Sequence, residues 1–207
     1  MSTRKRLSAA DRRAQLIGVG RTVFADTGFE NASLDVIAQR AGVTKPIIYE
    51  HFGGKEGLLA AVVERELDAV VKRISAAIEE GTSRERFEAA VAEFIAYSDE
   101  EPDGFALLTR ETPIVGRAGI TRVVDQLTDR VGAILRKELA AAGYDRRVAP
   151  LYASALIGMV IQAGRWWAEG RSISRDQALR HVAALGWMGL RHLPKRPAAV
   201  KTRRKRS

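Results

Sequence analysis

Three histidines are the first candidates for metal chemistry in this 207-residue chain, and their spacing does not support it. His51, His181 and His192 form no HExxH or ExxH pattern, so no zinc or di-iron helix site is expected. Cysteine is absent, which removes a thiolate metal site, a disulfide framework and a Cys nucleophile together. Gly53-Gly54-Lys55 runs straight into Glu56 and has Tyr49 where a phosphate loop would need its first glycine; no GxSxG elbow occurs either. The acidic pairs Glu79-Glu80 and Glu100-Glu101 fall at element ends, where solvated charge is the ordinary state. No catalytic residue, metal ligand or cofactor is expected.

Charge is the more informative signal. The chain carries 34 Lys+Arg against 25 Asp+Glu, a formal net charge of +9, with 46% hydrophobic and 29% charged residues. That composition is globular. The excess is confined to the ends: residues 1–54 carry +3, residues 55–190 carry −2, and residues 191–207 carry +8. A nearly neutral body with basic ends is the footprint of a polyanion partner; a merely solubilising tail is the alternative for the last segment. The start, MSTRKRLSAADRR, has no apolar region behind its basic residues and does not resemble a secretory signal. The weakly charged stretch Val148–Gln162 is short for a bilayer and contains Pro150, so no membrane partner is expected and the chain is read as cytoplasmic.

The elements that must position any site are helices throughout. Ser8 with Asp11 caps a first helix whose stripe runs Leu16, Ile17, Gly20, Val23, Phe24, with Gly28 as its stop. Ser33 caps Leu34–Ala41, ended by Gly42; Thr44 caps Lys45–Phe52, with Pro46 tolerated in a first turn that needs no N–H partner. After Gly53-Gly54 a long helix begins at Lys55. Further helices are expected from Thr82, at Phe105–Arg110 after a Glu101–Gly104 turn, at about Gly119–Ala142, at Arg146–Ala168, and at Ser174–Leu193 beyond Gly170. The fold class is all-α.

Ala41-Gly42-Val43-Thr44 joins two short helices as a helix-turn-helix would. Gly42 takes the sharp turn, Ile37, Ala38 and Val43 are spaced to bury the inner faces, and Thr44 restarts the helix at once. The same residues also fit a tight αα-corner. The wider run, from Phe24-Ala25-Asp26-Thr27-Gly28-Phe29 through Ala41-Gly42-Val43-Thr44 and Tyr49-Glu50-His51-Phe52 to Lys55-Glu56-Gly57-Leu58-Leu59, resembles the DNA-binding domain of TetR-family transcriptional regulators. Gly54 stands where that family often has a capping Ser.

The resemblance implies roles for single residues. Thr44 offers its hydroxyl and N–H to a phosphate, Lys45 suits guanine O6/N7 or a phosphate, Ile47 a thymine methyl, and Pro46 an apolar contact. Tyr49 and His51 match the family's phosphate-binding pair, with a core-satisfied histidine the alternative for His51, while Lys55 matches a phosphate clamp and Ser33 a phosphate contact from the helix before the turn. Glu50 either accepts from a cytosine N4 or pairs with a base such as Arg40.

It also implies an organisation. Residues 1–55 would form a three-helix DNA-binding domain with a flexible basic arm over 1–8. Residues 56–193 would form a helical ligand-binding and dimerisation domain, and 194–207 a disordered basic tail. The last two long helices carry Ala153, Gly158, Gly164, Ala183, Gly186 and Gly189, which permit close helix approach, either in a homodimer bundle or within one chain. Phe87, Phe94, Leu107, Leu108, Met159, Trp166 and Trp167 are candidates to line a pocket for a small, apolar effector, or simply to fill a core. The expected function is a repressor released from a palindromic double-stranded operator by that effector, nucleoid-associated when bound; a nucleoid-type architectural protein is the alternative.

Overall fold

The computed structural model describes residues 7–109 and 118–195, and every regular element among them is helical. The arm up to Arg6 and the tail from Arg196 onward lie outside the described residues. The order is α1 (Ala9–Asn31), α2 (Leu34–Ala41), α3 (Lys45–Phe52), α4 (Lys55–Ala77), α5 (Ser83–Glu100), α6 (Pro102–Thr109), α7 (Ala118–Ala141), α8 (Ala149–Gly170) and α9 (Arg175–Arg191).

Local chemistry sets most of these boundaries. The Asp11 N–H donates to Ser8 Oγ at 3.1 Å, and the Thr82/Glu85 and Ser174/Gln177 pairs close reciprocal capping boxes on α5 and α9. Gly28 breaks the helical path of α1 with φ 73° and ψ 168°, and one further turn brings the Phe29 ring to 6.2 Å from Phe24.

Three expectations are corrected. Pro102, Asp103 and Gly104 belong to α6 rather than to a turn, because a helix's first residue needs no N–H and suits Pro. Pro150 likewise sits in the first turn of α8, preceded by a 3-10 turn at Arg146–Val148, and does not break the apolar stretch. The residue that ends α8 in the left-handed region is Arg171, φ 43°, not Gly170.

α8 is long and apolar enough, by length and composition, to cross a membrane. In this fold it packs on α7, α5 and α9. Of the small residues on α8 and α9, Ala153, Gly164, Ala183 and Gly186 are buried within the chain. A Cβ on Gly164 would stand 2.6 Å from the Phe94 ring, and one on Gly186 would collide with Phe87. Gly158 and Gly189 lie instead on an open face, together with exposed Leu151, Trp166, Leu185 and Met188.

The core is continuous between the first three helices and the rest. Leu16, Phe24, Ile37 and Ile48 share one buried cluster with Leu58, Val62, Phe94, Phe105 and Ile157. A polar knot is set into this seam. Arg21 of α1 forms ion pairs with Glu66 of α4, 3.1 Å from Nε to Oε1, and with Glu101. The Tyr97 hydroxyl of α5 donates to the other Glu66 oxygen at 2.9 Å. Gly104 of α6 lies so close that any Cβ would strike both Glu66 and Tyr97. Burial and the Glu66 charge together push the Tyr97 phenol well above its ordinary range.

Candidate nucleic-acid interface

The interface is built around the α2–α3 turn. Gly42 takes φ 64° and ψ 37°, the left-handed conformation that glycine accepts without a Cβ clash. The Gly42 N–H then donates to Gln39 O at 3.1 Å and the Val43 N–H to Ala38 O at 2.9 Å, so the end of α2 is satisfied before α3 begins. Ile37 and Ile48, both fully buried, pin the inner faces of α2 and α3. Gln15 Nε2 of α1 donates to Ala41 O at 3.1 Å, tying the turn to the helix behind it. No local pattern in the sequence announces that bond, since its partners are far apart in the chain.

With Ile48 inward, α3 turns Thr44, Lys45, Pro46, Tyr49 and Glu50 to solvent. Thr44 adopts the extended N-cap conformation, but its side chain makes no cap bond. Its hydroxyl therefore remains available to an outside acceptor at a helix N-terminus. Lys45 Nζ lies 3.1 Å from Asp35 Oδ2 of α2, which holds the ammonium at the mouth of the turn. Ser33 Oγ accepts from the Asp35 N–H at 3.2 Å, leaving its own proton to donate.

At the far end of α3, His51 is half-buried, its carbonyl accepting from Arg13 Nη1 at 3.4 Å while the Arg13 guanidinium lies 4.6 Å from the Phe52 ring centre. Lys55 opens α4. Its Nζ donates to Glu30 O at 3.0 Å and stands 4.5 Å from the Phe29 ring centre.

Two readings change. Ile47 does not point outward; it is half-buried and packs on the core. Arg40 pairs with Asp26 at 3.9 Å rather than with Glu50, which stays exposed. Gly54 is also more than a substitute for a capping Ser, since its φ of 146° is one that glycine adopts and L side chains rarely do. Gly57 carries no mark in the sequence, yet a Cβ there would collide with the Phe52 carbonyl, so α3 sits against α4 at a distance only glycine allows.

A second feature lies in the helical body. A cavity of about 350 Å³ opens among α4, α5, α7, α8 and α9. Its lining is largely aliphatic and includes Phe87 and Phe94, with Trp187 as an unforeseen aromatic wall. The other candidates lie elsewhere. Leu107 and Leu108 are buried in α6, and Met159 packs beside Gly186. Trp166 is exposed, and Trp167 is buried with its indole N–H donating to Ile173 O at 2.9 Å. Among the described residues, no cluster of three or more His, Asp or Glu could hold a metal ion.

Residues 16–62 match the sequence model of the bacterial regulatory proteins, tetR family, and residues 58–202 match that of the tetracyclin repressor-like C-terminal domain. The transcriptional activator FasR of Mycolicibacterium smegmatis is 30% identical over 194 residues, covering 91% of this chain and 87% of FasR. The transcriptional regulator HbdR of an Aromatoleum species is 26% identical, covering 76% of this chain and 69% of HbdR. The crystal structure of a TetR-like transcriptional regulator from Rhodococcus sp. RHA1 superimposes with a TM-score of 0.71 at 28% identity, covering 91% of this chain and all of that one. With a helix-turn-helix that turns Thr44, Lys45 and Tyr49 to solvent, and with both halves of the chain matched, this protein belongs to the TetR family of DNA-binding transcriptional regulators.

Proposed function

We propose that the protein is a sequence-specific repressor that binds a palindromic operator as a homodimer and leaves it when an apolar small molecule enters the helical body. Residues 1–55 read the DNA, residues 56–193 sense and dimerise, and the tail from 194 adds unspecific phosphate contacts. The observation that carries this reading is α3 itself, pinned through Ile48 while Thr44, Lys45, Pro46 and Tyr49 face outward. Ser33, His51 and Lys55 flank it as phosphate contacts, and Lys45 reads a base once it leaves Asp35.

Dimerisation is supported by the open face of α8 and α9. Leu151, Trp166, Leu185 and Met188 are exposed there around Gly158 and Gly189, a patch of the kind that a second copy covers. A single helix-turn-helix reads only a half-site, so two-fold pairing also supplies the second reading helix. Substituting Leu185→Glu should leave the fold intact and shift sedimentation from dimer to monomer.

Selection of bound sequences from random duplex DNA by the purified protein tests the main reading. A palindromic consensus is the expected result; uniform recovery of unrelated sequences would favour an architectural role instead. The sign of control is assigned as repression, although the FasR relative is named as an activator. A reporter placed behind the selected operator, with and without the protein, decides it.

A further inference from the structure

Arg86 is a guanidinium with no partner among the described residues. It is half-buried and lines the cavity, and its Nε is shut away from solvent with no hydrogen-bond acceptor. The acids nearest to it in sequence are engaged elsewhere: Glu85 accepts from the Thr82 N–H and hydroxyl, and Glu88 pairs with Arg84 at 2.7 Å. A buried donor left unmatched is unfavourable, and such a group calls for an acceptor supplied from outside the fold.

The cavity's polar groups are gathered at one end. Ser83 and Arg86 come from the start of α5, Glu138 and Tyr144 from the end of α7 and the loop after it, and Arg191 from the end of α9. Glu138 and Arg191 are exposed rim residues of opposite sign, and the Tyr144 hydroxyl already donates to Leu193 O at 2.7 Å. Arg86 is thus the ionic group nearest the interior.

Towards the DNA-reading helices the lining turns apolar, through Phe94, Leu127, Val131, Val160 and Ile161. Phe94 meets Phe105 of α6 edge-on at 5.7 Å, and α6 packs on α1. The cavity is therefore amphipathic along its length, with a cation at the end remote from α1–α3 and a ring in contact with the seam at the other.

We infer that the effector is an amphipathic anion, a single apolar chain lying along Phe94 with a carboxylate head paired to Arg86. This rests on the reading of the cavity as the effector site and narrows the effector from a wholly apolar molecule to one with an apolar chain and an anionic head. The apolar chain supplies affinity in proportion to its length, and the carboxylate supplies the acceptor that Arg86 lacks. A chain long enough to press on Phe94 would act on Phe105 and hence on α6 and α1, so length would govern DNA release as well as affinity.

Calorimetric titration of the full-length protein with dodecanoate, hexanoate, dodecanol and dodecyltrimethylammonium, each below its micellar concentration, tests the inference. Dodecanoate should bind roughly 10- to 100-fold more tightly than dodecanol, as a charge-assisted bond predicts. Hexanoate should bind far more weakly, since each methylene is worth about fourfold. Arg86→Gln should bring dodecanoate down to the level of dodecanol and leave dodecanol unchanged. Equal binding of dodecanoate and dodecanol by the unaltered protein would overturn the inference while leaving the effector cavity in place, and that ratio needs no variant to fold. Preference for the ammonium would overturn it in favour of Glu138. Failure of all four compounds to bind would remove the cavity reading together with the inference.

Discussion

Replacing Tyr97 by Phe removes one hydroxyl and keeps the ring, so it isolates a single bond in the seam between α1 and the helical body. That hydroxyl donates to Glu66 Oε2 at 2.9 Å, and Tyr97 and Glu66 are only 2% and 5% exposed. Water cannot readily take its place. Hydrogen bonds to charged groups contribute about 1.5–3 kcal/mol, so Tyr97→Phe should destabilise the protein by about 2 kcal/mol at pH 7. The pH dependence arises from the raised phenol pKa, whose causes are burial first and the Glu66 charge second. An unfolded chain gives up the phenolic proton from about pH 10, whereas the folded chain keeps it. Above pH 10 the unfolded state therefore binds fewer protons, and the native protein loses about 1.4 kcal/mol per pH unit.

Tyr97→Phe has no proton to lose, so the gap between the two proteins should narrow to below about 1 kcal/mol at pH 11. Other tyrosines and lysines titrate in both proteins and cancel in the difference. Urea unfolding followed by circular dichroism at pH 7, 10 and 11, at one fixed protomer concentration, measures the gap. A gap under about 0.5 kcal/mol at pH 7, or one that stays constant to pH 11, would refute the assignment of this hydroxyl as the donor that satisfies Glu66.

Three further outcomes are expected. Gly57→Ala places a methyl on the Phe52 carbonyl, which no rotamer change relieves, so it should cost about 1–3 kcal/mol and displace α3; unfolding and operator titration read both effects. Tyr49→Ala and Lys55→Ala should weaken binding to operator and random duplex alike, whereas Lys45→Ala should also lose about 1–3 kcal/mol of discrimination at one base position; equal loss on both duplexes for Lys45→Ala would remove its reading role. Truncation after Leu193 should leave the consensus unchanged and flatten the dependence of log K on log salt, and an unaltered slope would make the tail a solubiliser only.

The sequence is legible where structure is set by neighbours in the chain. Ser8, Ser33, Thr82 and Ser174 each bond a backbone N–H within three residues, and Gly42 and Gly53 take left-handed turns that their residue type announces. Pro102 and Pro150 mislead for the opposite reason: a proline marks both a break and a first turn, and only the packing of the residues after it decides between them. The Arg21–Glu66–Tyr97 knot is not legible, because its members sit on three helices and no spacing links them. The small residues of α8 and α9 permit both a partner chain and an internal neighbour; Phe87 and Phe94, contributed by α5, claim two of them. Trp187 escapes notice because an aromatic residue on an amphipathic helix carries no mark of whether it meets a core or a cavity.

The continuity of the core across α1, α4 and α6 bears on how this family can be recombined. The two family models meet at residues 58–62, inside α4, which suggests a convenient point at which to exchange reading heads between relatives. In this chain a cut there would leave Arg21 in one parent and Glu66, Glu101 and the glycine at position 104 in the other. A foreign head with an apolar residue in place of Arg21 would leave Glu66 buried with half its partners gone, a loss that typically costs several kcal/mol. A chimaera that keeps its stability must therefore carry α1, α4 as far as Glu66 and the α5–α6 corner as one inherited block, and heads that bring a matching cation at position 21 should be the ones that transplant.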